Sequence, residues 1–143
     1  MSDVRLRYFD LSPESMSGIR AVKKGLESSP LGLDLIELIY LRISHVNGCA
    51  FCLMMHAKSL RERGEKEQRI DALSGWRASS LFTPRERAAL TWSDALTDIA
   101  RTAADDVYFQ PLKEHFSDVE ISDLTFAISL TNALNRLAIA MRQ

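Results

Sequence analysis

Two helix-start signatures constrain the fold of this chain more than anything else in it. Thr83-Pro84-Arg85-Glu86 and Ser117-Asp118-Val119-Glu120 each set a hydroxyl at a cap position and a glutamate three residues on, where its carboxylate reaches back to the cap. Pro84 stands at the first helical position, where its missing N–H costs nothing. Ser12-Pro13-Glu14 offers a third start, with serine as cap, and Met16, Ile19, Val22 and Leu26 follow it at a period near 3.6. Behind Thr83 the same period carries Ala88, Ala89, Trp92, Ala95, Leu96 and Ile99. The remaining segments read alike, with helices over 33–45, 49–63, 65–74, 105–115 and 121–141, the fourth of these shortened or kinked by Pro111 and the second stopped by Gly64. The expectation is an all-α fold of about six to seven helices in one domain over residues 1–143. Residues 1–11, which alternate Val4, Leu6, Tyr8, Phe9 and Leu11 with charges, read as an extended arm packed on a neighbour.

At 143 residues the chain is long enough to bury a core without a covalent staple. Its net charge of -1, from 18 basic and 19 acidic residues, leaves no electrostatic footprint for nucleic acid or an anionic membrane surface. No leader-like apolar stretch opens the sequence, and no segment approaches the roughly 20 apolar residues of a membrane span. A cytosolic address is expected. In such a reducing compartment a close cysteine pair is more often catalytic or metal-binding than structural.

The chain has 2 cysteines, Cys49 and Cys52, directly after Asn47-Gly48. If the run is helical, Cys49, Cys52 and His56 share an arc of roughly 60°. The Asn-Gly break makes Cys49 one of the first helical residues, and a helix N-terminus favours thiolate over thiol. A cysteine of ordinary acidity is only a few per cent ionised at neutral pH, so reactivity needs a base or a positive field. His56, one turn past Cys52, can be that base, and Glu37, on the preceding helix, can hold the imidazole and stabilise the imidazolium. The dipole argument favours Cys49 as the more acidic thiol, whereas the base argument favours Cys52; the nearness of His56 decides for Cys52 as attacker. Phe51 should shield the dithiol, Met54 should pack, and Met55 should join the core or the pocket wall. Trp76 reads as core, and His45 and His115 as surface or interface histidines.

The spacing of Glu37, Cys49, Cys52 and His56 resembles the signature of the alkylhydroperoxidase D (AhpD) core within the carboxymuconolactone decarboxylase-like family. The likeness runs on through Arg42-Ile43-Ser44, Gly48-Cys49-Ala50-Phe51-Cys52, His56-Ala57-Lys58, Thr83-Pro84-Arg85-Glu86-Arg87-Ala88 and Asn135-Arg136-Leu137-Ala138, roughly residues 10–140. The resemblance implies an all-helical, cofactor-free thiol peroxidase in which Cys52 attacks a hydroperoxide and Cys49 resolves the sulfenic acid to a disulfide. It also implies a lipoamide-linked or thioredoxin-like thiol reductant and a homo-oligomer, a trimer or hexamer. Some members carry a histidine between the cysteines; Phe51 stands there, so a proton relay from that position is in doubt.

Two other readings compete. The two thiolates, His56 and Glu37 could ligate zinc tetrahedrally, although no second Cys-X-X-Cys is present. The other is lactone decarboxylation without a cofactor, or a non-catalytic oligomeric binding module; either would survive loss of both cysteines. The last helix has apolar ridges on two sides, one of Leu124, Ile128, Leu134 and Ala138 and one of Phe126, Leu130, Ala133 and Leu137, which suggests a subunit interface.

Overall fold

The computed structural model describes residues 3–143, and these form helices joined by turns, with no strand among them. In chain order they are α1 (Tyr8–Leu11), α2 (Pro13–Glu27), α3 (Leu33–Asn47), α4 (Ala50–Glu62), α5 (Glu67–Ala72), α6 (Pro84–Thr97), α7 (Ile99–Thr102), α8 (Asp106–Phe109) and α9 (Asp118–Met141). Short 3-10 turns follow α5, at Leu73–Ala78, and α8, at Gln110–Glu114. The fold is all-α, with more and shorter pieces than the periodicity predicts. Pro111 cannot donate to a preceding carbonyl, so the segment after Asp105 splits into a single α turn and a 3-10 turn.

The helix starts hold in detail at two of three places. Thr83 accepts the Glu86 N–H at 3.1 Å while Glu86 accepts the Thr83 N–H at 2.8 Å, and Ser117 and Glu120 repeat the exchange at 3.2 and 3.0 Å. Ser12 does precede Pro13, but its side chain makes no capping bond. Its N–H is instead taken by the Tyr8 carbonyl, because the arm before it is partly helical rather than extended. The first two residues of the expected arm lie outside the described residues. The rest folds back on the far end of the chain, with Arg5 donating from its backbone to the Met141 carbonyl at 2.8 Å and from its side chain to the Ala140 carbonyl at 3.1 Å.

Helix α3 is the axis of the fold. Leu35, Ile36, Leu38, Ile39, Tyr40, Leu41, Ile43 and Ser44 are all buried, because α4, α6 and α9 cover it from different sides. Each such leucine or isoleucine contributes roughly 1.5–3 kcal/mol by leaving water, so this one helix carries much of the core. Helix α9 has the length and apolar character of a membrane span, contrary to expectation. It lies against α2, α3 and α6, burying Leu124, Ile128, Leu130 and Asn135 among them, and that packing accounts for part of its apolar sequence. Of its second expected ridge, Leu130 is buried but Phe126 is 58% exposed.

Candidate active site

The site is built on the turn between α3 and α4. Gly48 adopts a left-handed conformation, φ 69° and ψ 37°, which a residue with a Cβ enters only at a cost. Its N–H reaches back to the Ser44 carbonyl at 2.9 Å, and the Cys49 N–H shares that acceptor at 3.1 Å, so α3 ends tightly and the chain reverses. Cys49 is therefore the capping residue of α4 rather than a member of its first turn: its backbone is extended, and its sulfur accepts the Cys52 N–H at 3.4 Å. The reason is the glycine, which spends the turn before the helix begins. Cys49 and Cys52 are joined as a disulfide across the first turn.

Because α3 and α4 run back to back, Glu37 meets His56 across the hairpin. The Nδ1 of His56 and the Oε2 of Glu37 are 2.8 Å apart, with both side chains largely buried. That contact commits Nδ1 and leaves Nε2 as the ring nitrogen available to the pocket that His56 and Cys52 both line. The ring of Tyr40 leans on the imidazole with centroids 5.1 Å apart. Burial, then the carboxylates of Glu37 and Glu27, push the Tyr40 phenol well above its ordinary range, so it stays protonated and cannot serve as a base.

The two cysteines differ in whether they line a cavity. Cys49 and Cys52 are only 1% and 3% exposed, and Phe51 packs half-buried against both together with Ala138. A pocket of about 230 Å³ nonetheless reaches Cys52 and His56 and does not include Cys49 in its wall. Met16 and Ile19 of α2, Phe51 and Met55 of α4 and Leu134 of α9 give it apolar sides, and Tyr8 and Gln143 close one end through a hydrogen bond from the tyrosine hydroxyl to the glutamine Oε1. Met55 thus lines the pocket, whereas Met54, expected to pack, is 69% exposed on the far side of the helix.

Of the four residues expected from the sequence, the structure pairs Glu37 with His56 and Cys49 with Cys52, and sets Cys52 and His56 in the wall of one pocket. His45 stands apart and lines no part of this pocket; burial and the neighbouring Arg42 lower its proton affinity. Trp76 is core, its indole donating to Asp94 at 3.2 Å. No group of three or more His, Cys, Asp or Glu side chains among the described residues is arranged to hold a metal ion.

The sequence reading missed the support behind the hairpin turn. Asn135 of α9 is fully buried, donates to the Ser44 hydroxyl at 3.1 Å and accepts from Asn47 at 3.0 Å, while Asn47 also donates to Asn132 at 3.0 Å. These bonds fix α9 to the end of α3 where Ser44 holds the backbone of Cys49. An asparagine within an apolar helical stripe was the available signal.

The family model described as the carboxymuconolactone decarboxylase family matches residues 13–95, which contain the whole hairpin. The chain belongs to the carboxymuconolactone decarboxylase family. Within this family its fold is AhpD-like. It is 36% identical over 137 residues to the uncharacterized protein YdfG of Bacillus subtilis, covering 96% of this chain and 93% of that one. A crystal structure from Agrobacterium tumefaciens, of a protein of unknown function assigned as a candidate antioxidant defence protein AhpD, superposes with a TM-score of 0.95 at 45% identity, covering 99% of this chain and 97% of the other. An uncharacterized peroxidase-related protein from Silicibacter superposes with a TM-score of 0.80 at 25% identity, over 92% of this chain and 70% of that one.

Proposed function

We propose that this member of the family is a thiol-dependent peroxidase that cycles Cys49 and Cys52 between dithiol and disulfide. One observation carries the reading: the pocket opens on Cys52 beside His56, whose other nitrogen is held by Glu37, while Cys49 lies behind Cys52 within bonding distance of it. That arrangement supports unequal thiols, an accessible attacker and a sheltered partner. The names of the two structural relatives lean the same way.

In the reduced state His56 takes the Cys52 proton through Nε2, and Glu37 stabilises the resulting imidazolium. The thiolate attacks the terminal oxygen of a hydroperoxide; an S–O bond forms as the O–O bond breaks, and the departing alkoxide takes the proton from His56 and leaves as an alcohol. Cys49 then attacks the sulfenic sulfur of Cys52, expelling hydroxide, which the Cys49 proton converts to water. The disulfide that results stores the two electrons' worth of oxidation, and a dithiol reductant of lipoamide or thioredoxin-like type returns the electrons with two protons. The half-exposed and exposed apolar side chains of α9 support a homo-oligomer, for which sedimentation is the check.

The test is a thiol count on fully reduced protein before and after one equivalent of hydrogen peroxide, with mass spectrometry to locate any bond. Loss of both thiols with a Cys49–Cys52 bond is expected. Thiols that persist overturn the proposal, and lactone decarboxylation that survives replacement of both cysteines puts the other activity of the family in its place.

A further inference from the structure

The pocket over Cys52 has a chemical polarity that peroxide reduction alone does not require. Its walls are apolar, but α2 turns two cations into it as well: Met16, Ile19, Arg20 and Lys23 follow one another at helical spacing and all four line the cavity. No aspartate or glutamate lines it, and neither Arg20 nor Lys23 has an ion-pair partner among the described residues. Elsewhere the arginines are mostly engaged, as Arg42 is with Asp94, Arg69 with Glu65 and Glu86, and Arg85 with Glu120. Hydrogen peroxide, small and neutral, gains nothing from either feature. A molecule with a hydrocarbon body and a negative end gains from both, through apolar burial and through charge pairing at the mouth.

We infer that the pocket selects amphipathic organic hydroperoxides bearing a carboxylate, with Arg20 and Lys23 pairing the carboxylate, Met16, Ile19, Phe51, Met55 and Leu134 covering the chain, and the O–O group delivered to Cys52. The inference rests on the peroxidase reading for its chemistry, which is unchanged: the hydroperoxy acid leaves as the hydroxy acid while the dithiol becomes the disulfide. Arg20 and Lys23 are specificity residues and take no part in bond making. Exposed charge pairs are individually weak, which sets the expected preference for acid over ester at about fivefold.

Two measurements separate the subsite from the chemistry. In the first, the disulfide form is titrated calorimetrically with octanoate and with octanol, in the wild type and in the Arg20→Gln/Lys23→Gln variant, whose glutamines keep the helix. Octanoate should bind about fivefold tighter than octanol, and the variant should erase the difference. Equal binding of the two, or an octanoate affinity untouched by the variant, overturns the inference. In the second, reduced protein is mixed with a medium-chain hydroperoxy acid and with its methyl ester, and thiol loss is timed. The acid should react about fivefold faster, and that advantage should vanish in the variant and near 1 M salt, where screening shortens to about 3 Å. Equal rates for acid and ester overturn the subsite while leaving the peroxidase standing. Octanoate binding without consumption of any hydroperoxide upholds the subsite and overturns the peroxidase.

Discussion

Glu37 and Asp94 are two carboxylates at nearly the same depth, with side chains 13% and 11% exposed, the first carried by the central helix α3 and the second facing it from α6. Asp94 is saturated. Arg42 grips both of its oxygens at 2.8 and 3.0 Å, Arg77 adds a contact at 2.8 Å and the Trp76 indole another at 3.2 Å. Glu37 has one hydrogen-bond partner among the described residues, and it is an imidazole that lines a pocket. A carboxylate surrounded by permanent donors has one geometry to offer, so it serves as a clamp between α3, α6 and the turn at Leu73–Ala78. A carboxylate paired with a histidine can follow a proton arriving at and leaving the ring. A carboxylate at the same depth is thus a clamp against Arg42 and, under the proposed function, a proton partner against His56, and partner identity makes the difference.

The largest effects should come from the thiols. Cys52→Ser is expected to abolish hydroperoxide consumption, whereas Cys49→Ser should still consume one equivalent and stop as a sulfenic acid, detectable by trapping and mass measurement. Single-event activity in the Cys52 variant instead would reverse the two roles. Next comes Glu37→Gln, which keeps the shape but removes the charge that stabilises the imidazolium. A loss of about 10²–10⁴ in the rate of thiol oxidation is expected, with little change in the urea midpoint. A comparable loss of stability with the rate preserved would make Glu37 a second Asp94.

The Glu37–His56 and Cys49–Cys52 contacts were legible in the sequence because their logic is local. Cys52 and His56 are one helical turn apart, and Glu37 is reached by folding one hairpin at an Asn-Gly break, so spacing alone predicts the meeting. What spacing does not carry is contact between distant segments. Tyr8 meets Gln143 across the ends of the described chain, and Asn135 reaches Ser44 from α9, so neither the closed end of the pocket nor the brace behind Cys49 shows in any short window. The clamp was invisible for the same reason: Arg42 and Asp94 read as ordinary polar-face residues until α6 is laid on α3. Met54 misled because an apolar side chain was assigned to the inner face, whereas a helix packed on one side leaves some apolar residues in water.

At the clamp, Asp94→Ala should cost about 3 kcal/mol in urea unfolding, since it strands the Arg42 guanidinium and the Trp76 indole in a largely buried place. Thiol oxidation by the folded fraction should be unchanged. If the rate fell together with the stability, clamp and machinery would be coupled and the division between them would fail.

The smallest effect sharpens the same division through pH. Glu86 caps α6 through Thr83 and also binds Arg69 at 3.1 Å, which makes it a second saturated carboxylate. Burial alone would raise its pKa, but the hydrogen bonds from Arg69 and from the Thr83 backbone outweigh that and hold it below its ordinary value of 4.5. A carboxyl whose folded pKa is depressed stabilises the fold above its unfolded pKa and loses that contribution as pH falls through the folded value. The wild type should therefore exceed Glu86→Gln by about 1 kcal/mol at pH 6, and the gap should begin to close below about pH 4.5. The glutamine can keep the capping bonds and lacks the charge, so the difference between the two pH profiles reports what that charge gains from Arg69 and from the Thr83 N–H together. A gap that is flat across this window would mean that Glu86 acts through its cap and not through its charge, and saturation by donors would then say nothing about how a buried carboxylate in this fold responds to protons.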